Sequence, residues 1–263
     1  NPFGLHLGLY PDLESVGFNP LATLDPASDR FFDRARALSE ALIRVEGDSQ
    51  PFFPQSAQGL LTGLMMWEVI QARQAGVAPS LAHVRDLLMG ADAASMPDDD
   101  DDLTGLQITA ARMEDSDHSS VAGLGRMFAR DSKEIASVVS TAIAQTHWLE
   151  SVPIRRDLEK DGVRFAQLKE KPTTVYVILP AQDLDDFSVW LRLVITTALG
   201  ELYGQSGQGL RTLFMLSEFA ALGKLKPITT ALGQARGYGI QLFPVLQDIN
   251  QLRGIYGKDF SHT

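Results

Sequence analysis

Hydrophobic spacing changes character twice along the chain, and the two changes define its expected organisation. Val16-Gly17-Phe18 reads as a short strand stopped by Asn19-Pro20. Asp29 is placed to cap a helix that carries Phe32, Ala35, Leu38, Leu42 and Val45 on one face. Gly47-Asp48 and Pro51 break it. From residue 52 to 148 the spacing is helical only. Gln55 to Ala75 is apolar almost all round (Leu60, Leu61, Leu64, Met65, Met66, Trp67), the pattern of the central helix of a small bundle. Pro79-Ser80 opens a helix with Leu81, Val84, Leu87 and Leu88 on one face. Ser132 caps another, with Ile135, Val138, Val139, Ala142, Ile143 and Thr146 at helical intervals. Trp67, Trp148 and Trp190 sit on apolar stripes and read as core.

Beyond Lys171-Pro172 the period shortens again. Thr174 to Leu179 is a β-branched, apolar run, expected to be buried on both faces as in a parallel sheet. Asp185 to Tyr203 predicts an amphipathic helix with Phe187, Leu191, Val194, Ala198 and Leu202 inward. A strand over Thr212 to Leu216, a helix over Pro227 to Arg236 and a strand over Ile240 to Leu246 follow. Strands alternating with helices predict right-handed βαβ units. The expected division is therefore 1–51 as the first part of an α/β domain, 52–148 as an inserted all-α domain, and 149–263 as the second part.

Composition narrows the functional classes. The 263 residues are 44% hydrophobic and 21% charged, as in an ordinary globular protein. There is no cysteine, which excludes disulfides and thiolate metal sites. No run approaches the roughly 18 apolar residues of a membrane span. Asn1-Pro2-Phe3-Gly4 does not open a signal peptide, and both ends of the sequence are expected to be cuts. The net charge of −10 argues against a broad duplex-gripping surface, so DNA contact would need a local patch or an oligomer channel. The acidic run Asp98 to Asp102 lacks EF-hand spacing and reads as a solvated loop, and the five histidines show no ligand spacing.

The candidate chemistry lies where Leu213-Phe214-Met215-Leu216 runs into Ser217-Glu218. A buried strand delivering a polar pair to a sheet edge is the Walker B pattern, which places a carboxylate beside nucleotide, Mg²⁺ and water. Ser217 occupies the first acidic position; a hydroxyl can touch Mg²⁺ or its water shell but brings no charge, so it predicts a weak metal position. No Gly-x-x-x-x-Gly-Lys-Ser/Thr loop occurs, and the Gly204 to Gly209 stretch lacks the lysine that reaches phosphates. Gln247 ends the strand that starts at Ile240, on the edge expected for Glu218, and Arg236 ends a helix.

Several segments carry a family resemblance in order: Asn1-Pro2-Phe3-Gly4, Gly17-Phe18-Asn19-Pro20-Leu21, Pro172 to Pro180, Leu216 to Leu225, Gln234-Ala235-Arg236-Gly237-Tyr238-Gly239, Leu246-Gln247-Asp248 and Ile255-Tyr256-Gly257. Together they resemble the coupling-protein ATPases of type IV secretion and conjugation, the TraG-like family. The resemblance implies an α/β fold, a RecA-like parallel-sheet nucleotide-binding domain with an inserted all-α domain. It implies Glu218 as the water-positioning carboxylate, Gln247 as a γ-phosphate sensor, and Arg236 as an arginine finger reaching a neighbouring subunit. Ser217, Glu218 and Gln247 would then face ATP and Mg²⁺ in the full-length protein, with this piece alone inactive. It further implies a homo-oligomeric ring (a hexamer) at the cytoplasmic face of the bacterial inner membrane, this piece being soluble. The partners would be a relaxase or effector cargo read by the all-α domain, together with the type IV secretion machinery. The alternative is a non-hydrolysing module that only recruits cargo.

Overall fold

A computed structural model describes residues 2–6, 14–45, 51–91, 105–160, 162–205 and 209–257. The runs Gly47-Asp48 and Asp98 to Asp102, and residues 206–208 of the Gly204–Gly209 stretch, lie outside the described residues. The chain divides into two units: residues 17–162, and residues 1–16 together with 163–263.

The first of these units is helical. It holds α1 (Phe31–Leu42), α2 (Phe52–Ala75), α3 (Leu81–Leu88), α4 (Gly105–Glu114), α5 (Ser119–Phe128), α6 (Lys133–Gln145) and α7 (Val152–Leu158). Helix α2 is its centre, with α1, α3, α5 and α6 packed on it. Leu60, Leu61, Leu64, Met65 and Met66 are fully buried, as the all-round apolar pattern predicts. Ser80 and Ser132 cap α3 and α6 by accepting from the backbone N–H of His83 (3.2 Å) and Ile135 (3.1 Å). Asp29 does not cap α1: the helix starts after Arg30, with no side-chain cap. Val16-Gly17-Phe18 is not a strand either; Phe18 N donates to Asp157 O instead. Buried charges tie the helices together. Glu68 accepts from Ser80 N and faces His83 Nδ1 at 2.6 Å. Arg85 donates to Glu150, Ile143 O and Thr146 Oγ1 at 2.8–2.9 Å. Glu68 and Arg85 are thus answered, as burial without a partner would cost about 1–3 kcal/mol.

In the other unit, β1 (Pro2–Leu5) pairs in parallel with β2 (Thr174–Val177). Then come α8 (Leu184–Tyr203), β3 (Thr212–Leu216), α9 (Lys226–Gln234), β4 (Ile240–Pro244) and α10 (Ile249–Tyr256), with β3 parallel to β4. Two expectations are corrected here. The described strands form two separate two-stranded sheets, not the continuous multi-stranded sheet of a RecA-like domain. In keeping with this, Thr174 to Val177 is largely solvent-exposed rather than buried on both faces, with Tyr176 57% exposed. Short strands that bond along one edge bury little, so the apolar run predicted the strand but not its surroundings. Helix α8 supplies the core of this unit through Trp190, Leu193, Val194, Ala198, Leu199 and Leu202. No described helix is long and apolar enough to cross a membrane. The 24-residue α2 and 20-residue α8 both carry charges, so the membrane association implied by the resemblance has no carrier in them.

Candidate functional site

Parallel pairing sends the C-terminal ends of β3 and β4 to one edge. Leu216 lies opposite Pro244, and Val245 N donates to Leu216 O at 3.0 Å. Ser217-Glu218 therefore leaves the sheet beside Val245-Leu246-Gln247, and Ser217, Glu218 and Gln247 are all exposed there. The structure brings these three predicted residues to one place.

Glu218 opens a tight 3-10 turn, Phe219–Leu222, whose shape is fixed from beneath. Arg192 of α8, 3% exposed, donates through Nη1 to Leu222 O (2.6 Å) and Lys224 O (3.0 Å). Carbonyls at a helix end lack intrahelical donors, and a guanidinium offers two at once. The segment after Gln247 is tied to the same turn. Asp248 Oδ1 accepts from Asn250 N at 2.8 Å and starts α10, and that hydrogen bond holds the Asp248 carboxyl below its ordinary pKa. Gln247 N donates to Gln251 Oε1 at 3.2 Å. At the far end of α10 the Tyr256 ring stacks on Phe219, centroids 5.8 Å apart at 17°, and its hydroxyl donates to Gly223 O at 3.4 Å. Burial pushes the Tyr256 phenol up. The carboxylate and amide segments are therefore parts of one packed assembly.

Arg236 lies elsewhere. It sits in the 3-10 turn Ala235–Tyr238, which leads through Gly239 into the start of β4. Five parallel-strand residues span about 16 Å, so this turn is at the opposite edge of the sheet from Glu218. The guanidinium is exposed.

The donor set matches only part of a nucleotide site. Glu218 can polarise a water and Gln247 can donate to an anion, while Ser217 adds an uncharged oxygen. Among the described residues, no group of three or more His, Cys, Asp or Glu could hold a metal ion. One carboxylate and one hydroxyl do not make a Mg²⁺ site. The described residues do not by themselves make a complete Mg²⁺–nucleotide site. Sequence reasoning missed Arg192, a single cation in the apolar run Trp190 to Ile195, and gave Tyr256 no role beyond its place in the segment Ile255-Tyr256-Gly257.

In sequence order, a helical unit is interposed in a second unit that holds two parallel strand pairs. The chain belongs to the type IV secretory system conjugative DNA transfer family, whose model matches residues 11–263. It is 24% identical over 265 residues to the conjugal transfer protein TraG of Escherichia coli, covering 95% of this chain and 41% of that protein. It is 27% identical to TraG of Rhizobium radiobacter (95% and 38%) and 24% identical to VirD4 of Agrobacterium fabrum (94% and 36%). The chain thus spans about two fifths of the length of these relatives. Among solved structures, the bacterial conjugative coupling protein TrwBdeltaN70 in complex with sulphate matches at a TM-score of 0.69 and 14% identity, over 99% of this chain and 55% of that one. TrwB in complex with ADP and Mg²⁺ matches at 0.64 and 13%, over 98% and 56%.

Proposed function

We propose that this chain is the part of a coupling-protein ATPase that completes a nucleotide site between subunits of a homo-oligomeric ring. The intact protein recruits a relaxase–DNA or effector cargo and delivers it to a type IV secretion channel. The observation that carries the reading is the split of the three candidate residues between opposite edges of β3–β4. Glu218 and Gln247 share one edge, and Arg236 stands at the other. A carboxylate and an amide that share an edge suit a water and a γ-phosphate in the same subunit. An exposed arginine about 16 Å of strand away suits a neighbour's nucleotide, where it stabilises charge developing on the transferred phosphoryl group. Solved structures of TrwB in complex with ADP and Mg²⁺ and with a non-hydrolysable ATP analogue support this use, with the phosphate-gripping loop supplied by the remainder of the parent. Ser217 is then a weak contact to the Mg²⁺ water shell.

The helical segment 52–148 is assigned to cargo recognition. Glu114 at the end of α4 and the following loop residues Asp115 and Asp117 are acidic and favour a basic protein surface over DNA. The test is complementation in the full-length parent. Arg236→Ala and Glu218→Gln are each expected to abolish ATPase activity alone while nucleotide binding survives. Mixed rings are expected to regain activity, because some boundaries pair an intact Glu218 edge with an intact Arg236. Co-assembled rings that stay inactive overturn the assignment of Arg236 to the neighbour. Absence of nucleotide binding by the parent favours the non-hydrolysing recruiting module instead.

A further inference from the structure

Lys169 is an unusual residue in this fold. It is 5% exposed, and no carboxylate pairs with it among the described residues. Its ammonium donates to Tyr238 O at 2.6 Å and Gly239 O at 3.4 Å, and burial lowers its pKa. A buried cation without a counter-ion is costly, so the carbonyls it meets must carry much of the compensation.

Those carbonyls end the turn that holds Arg236. Gly239 closes this turn at φ +65°, with its N–H bonded to Arg236 O at 3.2 Å. A Cβ at Gly239 would stand 3.2 Å from the Lys169 ammonium. Gly239 O also accepts from Thr212 N at 2.9 Å, at the start of β3. The backbone of Lys169 is committed in turn: its carbonyl accepts from Leu210 N at 2.9 Å, and a Cβ on Gly209 would lie 2.3 Å from that oxygen. Lys169 therefore clamps the entries to both β3 and β4. Tyr203 packs edge-on against Tyr238 at 4.9 Å and closes the other side of the turn.

We propose that Lys169 is a positioning residue for Arg236, holding the Ala235–Gly239 turn so that the guanidinium projects in one direction from the sheet edge. The positive charge at the C-terminal end of this short helix complements the partial negative charge of its carbonyl oxygens, and the two hydrogen bonds fix the turn's orientation. The inference rests on the reading of Arg236 given above. An arginine acting on a neighbour's phosphoryl group depends on placement to within an ångström or so, and misplacement of that size can cost about 100-fold.

The experiment uses the full-length parent, with Lys169→Met, Lys169→Arg and Arg236→Ala measured together for kcat, KM for ATP and assembly. Lys169→Met is expected to lower kcat about 10- to 100-fold with KM within about twofold, the signature of an interaction made only in the transition state. Lys169→Arg keeps the charge and the donors and is expected to recover most of kcat, which a merely space-filling role would not require. Should Lys169→Met fail to assemble, Lys169→Gln retains N–H donors without charge and is expected to show the same loss confined to kcat. Unchanged kcat in an assembled Lys169→Met or Lys169→Gln ring beside an inactive Arg236→Ala overturns the positioning role alone. Full activity in Arg236→Ala overturns the reading on which it rests.

Discussion

Replacing Arg192 by Met tests whether the turn after Glu218 is held by one buried guanidinium. Met approximates the length and apolar body of the side chain, so the change removes mainly the donors. Leu222 O loses a 2.6 Å bond and Lys224 O a 3.0 Å bond. Hydrogen bonds from a charged group contribute about 1.5–3 kcal/mol, and a buried carbonyl left without a donor costs about 1–3 kcal/mol. Leu222 is buried while Lys224 is exposed, so water can satisfy the second carbonyl but not the first. The expected loss is therefore about 2–4 kcal/mol, or a fall of about 1–2 M in the urea midpoint for an m-value of about 2 kcal/mol/M. The assay is ¹⁹F NMR of the chain carrying 5-fluorotryptophan. Trp190 lies two residues from Arg192 and reports its own unit, whereas Trp67 and Trp148 report the helical one. Arg192→Lys keeps a charge but only one compact head, and should fall between. A Trp190 midpoint within about 0.3 M of the unmodified chain would show that the two carbonyls find other donors, and the reasoning would fail.

Further outcomes follow from the same edge. The Asp248 carboxyl is held below its ordinary pKa by its bond to Asn250 N, so its contribution to α10 is full above the unfolded pKa and is lost as pH falls through the folded one. Secondary ¹³Cα shifts of residues 249–256 should therefore weaken as pH falls through the carboxylate range, and Asp248→Ala should flatten that dependence. In the full-length parent, Ser217→Asp should lower the Mg²⁺ concentration needed for half-maximal ATPase by about tenfold, the equivalent of about 1.4 kcal/mol from one added charge. A dependence on Mg²⁺ that does not move would place Ser217 away from the metal.

The helices were legible because their spacing is long and regular. Leu81, Val84, Leu87 and Leu88 are buried as the pattern of α3 predicts, and Ser80 and Ser132 start their helices with the bonds expected of them. Helices α4 and α5 fall in the block read as helical but were not placed individually, since Gly105, Gly123 and Gly125 weaken the helical signal that Ile108, Met113, Val121 and Phe128 provide. Strand β1 is only four residues long and exists through its pairing with β2, which local sequence does not encode. The continuous sheet was overestimated because an apolar, β-branched run specifies extended backbone without specifying how many neighbours it has. At the site, Glu218 and Gln247 could be placed on one edge because both follow strands of a parallel pair. The clamps Lys169 and Tyr256 could not, since their partners are backbone carbonyls about 30 to 70 residues away, which leave no trace in spacing.

The outward face of β3–β4 has a colloidal consequence. Leu213, Met215 and Phe243 stand 56%, 69% and 57% exposed in neighbouring register positions, an adhesive stripe on a short open ribbon. A net charge of −10 repels copies of this chain from one another at long range. That repulsion fades over about 8 Å at physiological ionic strength, whereas contact between apolar strands is not weakened by salt. Salt and acidification towards the isoelectric point near 4.9 therefore act in the same direction on this molecule, both lowering the barrier to self-association through a surface that its charge otherwise protects.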